Sequence, residues 1–135
     1  MKHGIGTKAL IADDEKDICY LLSSLLKRQS LRSVCVNSIA EVEAALHKEP
    51  FCAIFLDNNL PDGKGVDLIP SLKNNFPHLK IVMITAYDTY TDRQKAFSAG
   101  VDFFVAKPFT RNIITEVMEQ LFFSYQTNSP LSSIQ

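Results

Sequence analysis

Five side chains that can do chemistry stand directly after apolar runs of the sequence, where such runs would end as β-strands. They are Asp13, Asp14, Asp57, Thr85 and Lys107. Each is ordinary by itself, because an Asp after a strand usually forms a turn or a helix cap and a Lys is usually solvated. The carboxyl ends of parallel strands, however, open on one edge of a sheet. If the strands are parallel, we expect the five side chains to share one site.

The three carboxylates of this set indicate a divalent cation. Brought together without a partner they would repel one another, and at least one would keep its proton. Hard oxygen ligands favour Mg²⁺. Adjacent side chains of a strand point to opposite faces, so Asp13 and Asp14 can both serve only where the strand has ended. One of them can bind the metal directly and the other through water.

Lys107 and Thr85 add what a phosphoryl group needs. The cation and the Lys107 ammonium would neutralise the charge on its oxygens, and the Thr85 hydroxyl would donate a hydrogen bond. Asp57 would then be the nucleophile and would become an aspartyl phosphate. The residue types therefore predict phosphoryl transfer to a protein carboxylate.

The elements that would position these residues alternate between strand and helix. Buried strands are predicted from the continuous apolar runs at 8–12, 34–36, 52–57, 80–85 and 103–106. Helical spacing of apolar residues follows each strand, with Ser38 and Glu41 spaced as a capping box and Thr110 as a cap. Pro70 is expected to kink or shorten the third helix. Five such units predict an α/β fold, an open doubly wound parallel sheet with helices on both faces.

Length and composition fit one domain of ordinary globular type. The chain has 135 residues, is 46% hydrophobic and carries a net charge of -1, which gives no drive toward nucleic acid or an anionic membrane. No apolar run is long enough to span a bilayer, and the N-terminus has no secretory apolar region. We expect residues 1–7 to be a disordered lead-in, 8–125 the domain, and 126–135 a flexible tail or the start of a linker.

The three cysteines, Cys19, Cys35 and Cys52, are odd in number and have no CxxC spacing. A zinc site and a disulfide framework are therefore not expected. We interpret the cysteines as small buried hydrophobic residues in a reducing compartment, which favours the cytoplasm.

Four motifs in order resemble the receiver domain of two-component response regulators, the CheY-like family. They are IADDE at 11–15, FLDNNLPDGKG at 55–65, ITA at 84–86 and FFVAKPF at 103–109. The resemblance covers nearly the whole chain and implies a flavodoxin-like sheet with strand order 2-1-3-4-5. It also implies a switch that receives a phosphoryl group from a sensor histidine kinase or a histidine phosphotransfer domain.

The resemblance assigns a role to each residue that matches a family motif. Asp57 would be the phosphoacceptor, Asp14 and Asp57 would bind Mg²⁺ directly, Asn59 through its backbone carbonyl and Asp13 through water. Thr85 and Lys107 would bind the phosphoryl group, and the Lys107–Pro108 peptide bond would be cis.

Phe104 stands at the switch position of the family, where Tyr is frequent. It would turn inward when Thr85 moves toward the phosphoryl group, changing the surface formed by the fourth helix, fifth strand and fifth helix. A partner, an output domain or a second copy of the chain would read that surface.

Three other functions fit parts of the pattern. A phosphatase of the haloacid dehalogenase type also uses a strand-end Asp with Mg²⁺, but it needs a second Asp two residues later, where this chain has Asn59. A phosphorylation-independent interaction module of the same fold would not need the full set of acids. A flavin-binding protein would want a phosphate-cradling loop where this chain has DDEKD. We therefore expect no enzyme beyond self-phosphorylation and autodephosphorylation.

Overall fold

The computed structural model describes residues 7–123, with the backbone alone described at Phe123. Five strands form one parallel sheet in the order 2-1-3-4-5, as predicted. They are β1 (Lys8–Ala12), β2 (Arg32–Val36), β3 (Ala53–Asp57), β4 (Lys80–Thr85) and β5 (Phe103–Ala106). Residues 1–6 of the expected lead-in and the expected tail lie outside the described residues, as does the end of the expected domain at 125.

A helix follows each strand of this sheet. The helices are α1 (Lys16–Arg28), α2 (Ile39–Lys48), α3 (Ile69–Asn75), α4 (Tyr90–Ala99) and α5 (Arg111–Met118). A 3-10 turn (Gly65–Leu68) precedes α3, and a π-helical turn (Glu119–Phe123) continues α5. Two short antiparallel strands, Asn59–Leu60 and Gly63–Lys64, pair in the loop after β3. Within residues 7–123, no helix combines the length and the apolar character needed to cross a bilayer.

The sheet divides the core into two layers, because successive strand residues point to opposite faces. One layer packs strand residues such as Leu10, Ile54 and Met83 against α2, α3 and α4. The other packs Ile11, Phe55 and similar residues against α1 and α5. Every residue of β3 is buried, so Asp57 reaches the edge of the sheet at the end of a fully covered strand.

Of the two outcomes expected at Pro70, a kink or a shorter helix, the structure has the shorter helix. The chain forms the 3-10 turn first and begins α3 at Ile69, so Pro70 lies in the first turn of the helix. There its missing N–H costs nothing, since the first N–H groups of a helix have no partner within it. The apolar positions that indicated one helix from Val66 belong to two elements.

Side-chain caps fix the helix starts as the sequence predicted. Ser38 accepts from the Glu41 N–H at the start of α2, and Thr110 accepts from the Ile113 N–H at the start of α5. A second cap on α2 was not predicted. The Asp62 carboxylate, from the loop after β3, accepts from the N–H groups of Ile39 and Ala40. This cap joins the start of α2 to the loop that follows Asp57.

The expectation of no disulfide is wrong, because the structure pairs Cys19 with Cys35. Cys19 lies in the first turns of α1 and Cys35 lies on β2, and their Cα atoms are 6.1 Å apart. The chain separation of 16 residues hides this proximity until α1 folds back over the sheet beside β2. Cys52 is free and buried, as expected.

Candidate functional site

The five predicted side chains lie together at the carboxyl edge of the sheet. Asp13, Asp57 and Thr85 are buried, each at most 4% exposed, whereas Asp14 is exposed to solvent. The Lys107 side chain is 8% exposed. Two buried acids beside a nearly buried ammonium are unusual, since charged groups are seldom buried unless they are paired. The burial separates this set from ordinary strand-end polar residues.

Lys107 is the electrostatic centre of the site. Its Nζ lies 2.9 Å from Asp13 Oδ2, 3.3 Å from Glu15 Oε2 and 3.5 Å from Asp57 Oδ2. Burial by itself would lower the pKa of Lys107, but the hydrogen bond to Asp13 and the Asp57 charge together raise it above the usual value. Lys107 is therefore a fixed cation. The contact between Lys107 and Glu15 was not predicted, because Glu15 directly follows the acid pair in the sequence and a residue in that position is usually solvated.

Asp57 is a weaker acid than an exposed aspartate. Burial raises its pKa from 3.8 to about 6, and the nearby Asp13 charge acts in the same direction. The Asn59 N–H donates to Asp57 Oδ1 at 3.2 Å, and this bond and Lys107 oppose the rise. The effect of burial on the pKa outweighs these two opposing contacts. The site therefore favours a further cation, which would stabilise the ionised carboxylate.

Three carboxylates are close enough to ligate one ion. Oxygen atoms of Asp13, Asp14 and Asp57 all lie within 4.8 Å of one another. The Asp13 carboxylate is oriented by the Glu15 N–H, which donates to its Oδ1 at 2.8 Å. The donor set consists of hard oxygens, which fits Mg²⁺ or Ca²⁺ and does not fit a soft metal.

Thr85 joins the site through its hydroxyl oxygen. Oγ1 accepts hydrogen bonds from Asn59 Nδ2 at 3.2 Å and from the Tyr87 N–H at 3.1 Å. The Lys107 N–H donates to the Thr85 carbonyl at 2.9 Å, so the ends of β4 and β5 are linked directly. The Lys107–Pro108 peptide bond is cis. The Tyr87 ring is 64% exposed.

The loop after Asp57 is fixed by residues that the sequence reasoning missed. Asn58 is buried; its Oδ1 accepts from the Val66 N–H at 2.9 Å, and its Nδ2 donates to Asp92 at 3.2 Å. Lys64 also pairs with Asp92, at 3.3 Å. These contacts connect the loop to the first turn of α4. The position of Asn58, directly after the candidate nucleophile, could have marked it as a residue of the site. Nothing in the sequence pointed to Asp92 as its partner.

Phe104 is half-buried on the surface formed by α4, β5 and α5. The Arg93 guanidinium carbon lies 4.6 Å from the centre of its ring, and the rings of Phe97 and Phe104 are 6.4 Å apart. Arg93 also makes two hydrogen bonds to the Asp88 carboxylate, at 2.8 and 3.1 Å. Two side chains of α4 therefore contact the Phe104 ring.

Comparison with known proteins gives matching results. The model of the response regulator receiver domain matches residues 9–119. The response regulator protein PilR of Pseudomonas aeruginosa is 39% identical over 101 residues, which are 75% of this chain and 23% of that protein. The heme response regulator HssR of Staphylococcus epidermidis is 34% identical over 114 residues, which are 84% of this chain and 47% of that protein. The chain thus spans half or less of these curated relatives.

Solved structures share the fold. The beryllofluoride-activated NtrC4 receiver domain dimer has a TM-score of 0.83 at 28% identity, over 89% of this chain and 99% of that chain. The receiver domain of NtrX from Brucella abortus has a TM-score of 0.79 at 25% identity, over 87% and 99% of the two chains.

Proposed function

This chain belongs to the response regulator receiver domain family of two-component systems, and from that premise we propose that Asp57 accepts a phosphoryl group and so sets a conformational switch. The observation that carries this proposal is Lys107, which contacts both Asp13 and Asp57 while only 8% exposed. A fixed ammonium between two buried acids is suited to stabilising phosphoryl oxygens in the transition state. The family is a signalling family and not a family of catalytic enzymes.

Four groups would hold Mg²⁺ at this edge. We propose the carboxylates of Asp14 and Asp57 and the backbone carbonyl of Asn59 as direct ligands, with Asp13 acting through water. The hard oxygens of the acid cluster fit this ion. When bound, Mg²⁺ would neutralise charge on the phosphoryl oxygens and on the acids.

The chain's own residues would perform the transfer. A carboxylate oxygen of Asp57 would attack phosphorus, and the bond from phosphorus to the donor's nitrogen or oxygen would break. The Lys107 ammonium, already 3.5 Å from Asp57, would contact an oxygen of the transferred group. Asp57 must be ionised to attack, and Lys107 favours that state. Self-phosphorylation from small phosphodonors and autodephosphorylation would be the only intrinsic reactions.

Thr85 would transmit the change. Its hydroxyl would exchange the hydrogen bonds from Asn59 and Tyr87 for one donated to the phosphoryl group. The space that Thr85 vacates would admit the Phe104 ring, which must first leave Arg93 and Phe97. The surface of α4, β5 and α5 would then differ between the two states.

Partners follow from the family and from the longer relatives. We propose a sensor histidine kinase or a histidine phosphotransfer domain as the donor, acting in the cytoplasm. PilR and HssR are longer than this chain, and NtrC4 is described as a dimer, so an output domain or a second copy could read the switch surface. We propose no direct contact of this domain with nucleic acid or membrane, and no role as a phosphatase. Residues 126–135 would serve as a flexible tail or linker.

Incubation with acetyl phosphate and Mg²⁺, followed by intact mass measurement, tests the proposal. We expect one phosphoryl adduct, which chelation of the metal prevents and which Asp57→Asn abolishes. Asp17→Asn, at an exposed acid on α1, is the matched control and should be phosphorylated normally. An adduct that survives Asp57→Asn would refute the assignment.

A further inference from the structure

The pair formed by Cys19 and Cys35 lies beside the acid cluster and has no part in the proposed phosphoryl transfer. The two residues bridge helix α1 and the outer strand of the sheet, β2. Their Cα separation of 6.1 Å lies within the range that a disulfide requires. Cys35 is exposed on the edge strand, whereas Cys19 is only 9% exposed. One sulfur is therefore accessible to a reagent in solution, and the second lies directly behind it.

The backbone of Asp13 contacts both sides of this pair. The Asp13 N–H donates to the carbonyl of Val36, the residue after Cys35, at 3.1 Å. The Asp13 carbonyl lies 3.5 Å from Cys19 Sγ and accepts from Asn37 Nδ2 at 3.2 Å. A thiol at Cys19 can donate to that carbonyl, but a sulfur in a disulfide carries no hydrogen. Oxidation of the pair therefore removes one of the two side-chain donors to the Asp13 carbonyl.

We propose that Cys19 and Cys35 form a reversible thiol–disulfide pair, oxidised by a low-molecular-weight disulfide, and that oxidation weakens cation binding at the acid cluster. The Cys35 sulfur attacks one sulfur of the reagent, whose S–S bond breaks, and the first thiol leaves with the Cys35 proton. Cys19 then attacks the Cys35 sulfur and displaces the second thiol, which takes the Cys19 proton. Two protein thiols become one disulfide, and one reagent disulfide becomes two thiols.

Cys52 provides an internal contrast. It is 8% exposed, and burial raises the pKa of its thiol to about 11, so the reactive thiolate is scarce at neutral pH. It has no cysteine partner among residues 7–123, where the structure pairs the other two with each other. The selectivity of oxidation is thus set by exposure and by the neighbouring sulfur.

Treatment of the full chain with oxidised glutathione, followed by peptide mass mapping, tests the cross-link without any metal. We expect the chain to lose two hydrogen atoms, to yield one peptide pair joined through Cys19 and Cys35, and to return to thiols with a reductant. Cys52→Ala should give the same product. Cys19→Ser should instead retain one glutathione on Cys35, because the resolving sulfur is gone. Three free thiols after treatment, or a cross-link to Cys52, would overturn the proposal.

The effect on the cation rests on the proposed function and is measured separately, by Mg²⁺ titration of the amide NMR signals of residues 13–15. We expect the dissociation constant to be about fivefold higher in the oxidised chain. Cys35→Ser, which cannot form the cross-link, should show the same constant before and after treatment. Equal constants in the two redox states would overturn the coupling. Absence of binding in both states would overturn the coupling and the proposed metal site, while the cross-link stands on its own measurement.

Discussion

At the scale of single residues, Lys107 separates this site from an ordinary strand-end acidic cluster. It neutralises part of the charge of the buried Asp13 and Asp57, which solvent cannot reach, and it also contacts the exposed Glu15. Removing it leaves two buried acids with less compensation. The consequences should appear both in the chemistry and in the ionisation of Asp57.

Lys107→Met is expected to slow phosphorylation by acetyl phosphate about 100-fold, because one charge that stabilises the phosphoryl oxygens is lost. The rate can be followed by intact mass at fixed Mg²⁺. Lys80→Met, an exposed lysine at the start of β4, should leave the rate unchanged. A Lys107→Met variant that reacts at the normal rate would exclude Lys107 from the transfer.

Asp57 should reveal its burial through pH. Because its pKa is raised from 3.8 to about 6, the folded state holds its proton more tightly than the unfolded state does. The contribution of Asp57 to the stability of the metal-free protein therefore falls as the pH rises from about 4 to above 6, by up to about 3 kcal/mol. Asp57→Asn removes this loss, so the variant should match the parent near pH 4 and exceed its unfolding free energy at pH 7. Urea unfolding of the parent and the variant at both pH values measures this. If the two proteins differed in unfolding free energy by the same amount at pH 4 and at pH 7, the prediction would be contradicted.

At the scale of elements, the start of α2 depends on a distant loop. The Asp62 carboxylate accepts from two N–H groups there, and these bonds lower the pKa of Asp62. Asp62→Ala should lower the free energy of unfolding, because two N–H groups at the start of α2 lose their acceptor. Asp67→Ala removes only an exposed ion pair with Lys95 and should change it by less than about 1 kcal/mol. If both variants lost the same free energy of unfolding in urea, the Asp62 cap would contribute no more to stability than an exposed ion pair does.

Helix α4 should set the balance of the proposed switch. Arg93 lies over the Phe104 ring while paired with Asp88, and the proposed inward turn of the ring would break this contact. Arg93→Ala should therefore favour the inward state by about fivefold, the effect of losing a contact of about 1 kcal/mol. Titration with beryllofluoride and Mg²⁺, observed at the Phe104 signals, should saturate at lower ligand concentration. Lys95→Ala, on the same helix, should titrate like the parent. An unchanged titration curve for Arg93→Ala would show that the contact of Arg93 with Phe104 does not restrain the ring.

The elements also show how far sequence reasoning reaches. β1, β4 and β5 have the predicted bounds, since their apolar runs end at charged residues, hydroxyls or turns. β2 begins two residues earlier than predicted, because Arg32 and Ser33 pair with β1 although neither is apolar. Pro70 shortens α3 as expected, but the 3-10 turn that precedes α3 was not predicted, because it has no sequence signature of its own.

The site was predictable as a set of residues but not as a set of contacts. Parallel strands place Asp13, Asp57, Thr85 and Lys107 at one edge whatever the side-chain packing. The links through Glu15 and Asp92 depend on which loops approach that edge, and they became visible only in three dimensions. The disulfide was missed for the same reason, since β2 returns beside β1 and under α1.

At the scale of the whole molecule, two layers of helices enclose a sheet, and the cluster of Asp13, Asp14 and Asp57 lies at the carboxyl edge of that sheet. The chain spans half or less of the curated relatives PilR and HssR. The site and the switch surface are joined through the ends of β4 and β5, where the Lys107 N–H donates to the Thr85 carbonyl. In the proposed switch, a charge added at Asp57 would affect the surface of α4, β5 and α5 through this link.

The proposed function depends most on which side chain is phosphorylated. The direct measurement is reduction of the phosphorylated chain with borohydride, which converts an aspartyl phosphate to homoserine, followed by peptide sequencing by mass spectrometry. We predict homoserine at position 57 alone, and none when Mg²⁺ is chelated before the phosphodonor is added. Homoserine at position 13 or 14, or phosphate recovered on a histidine, would contradict it.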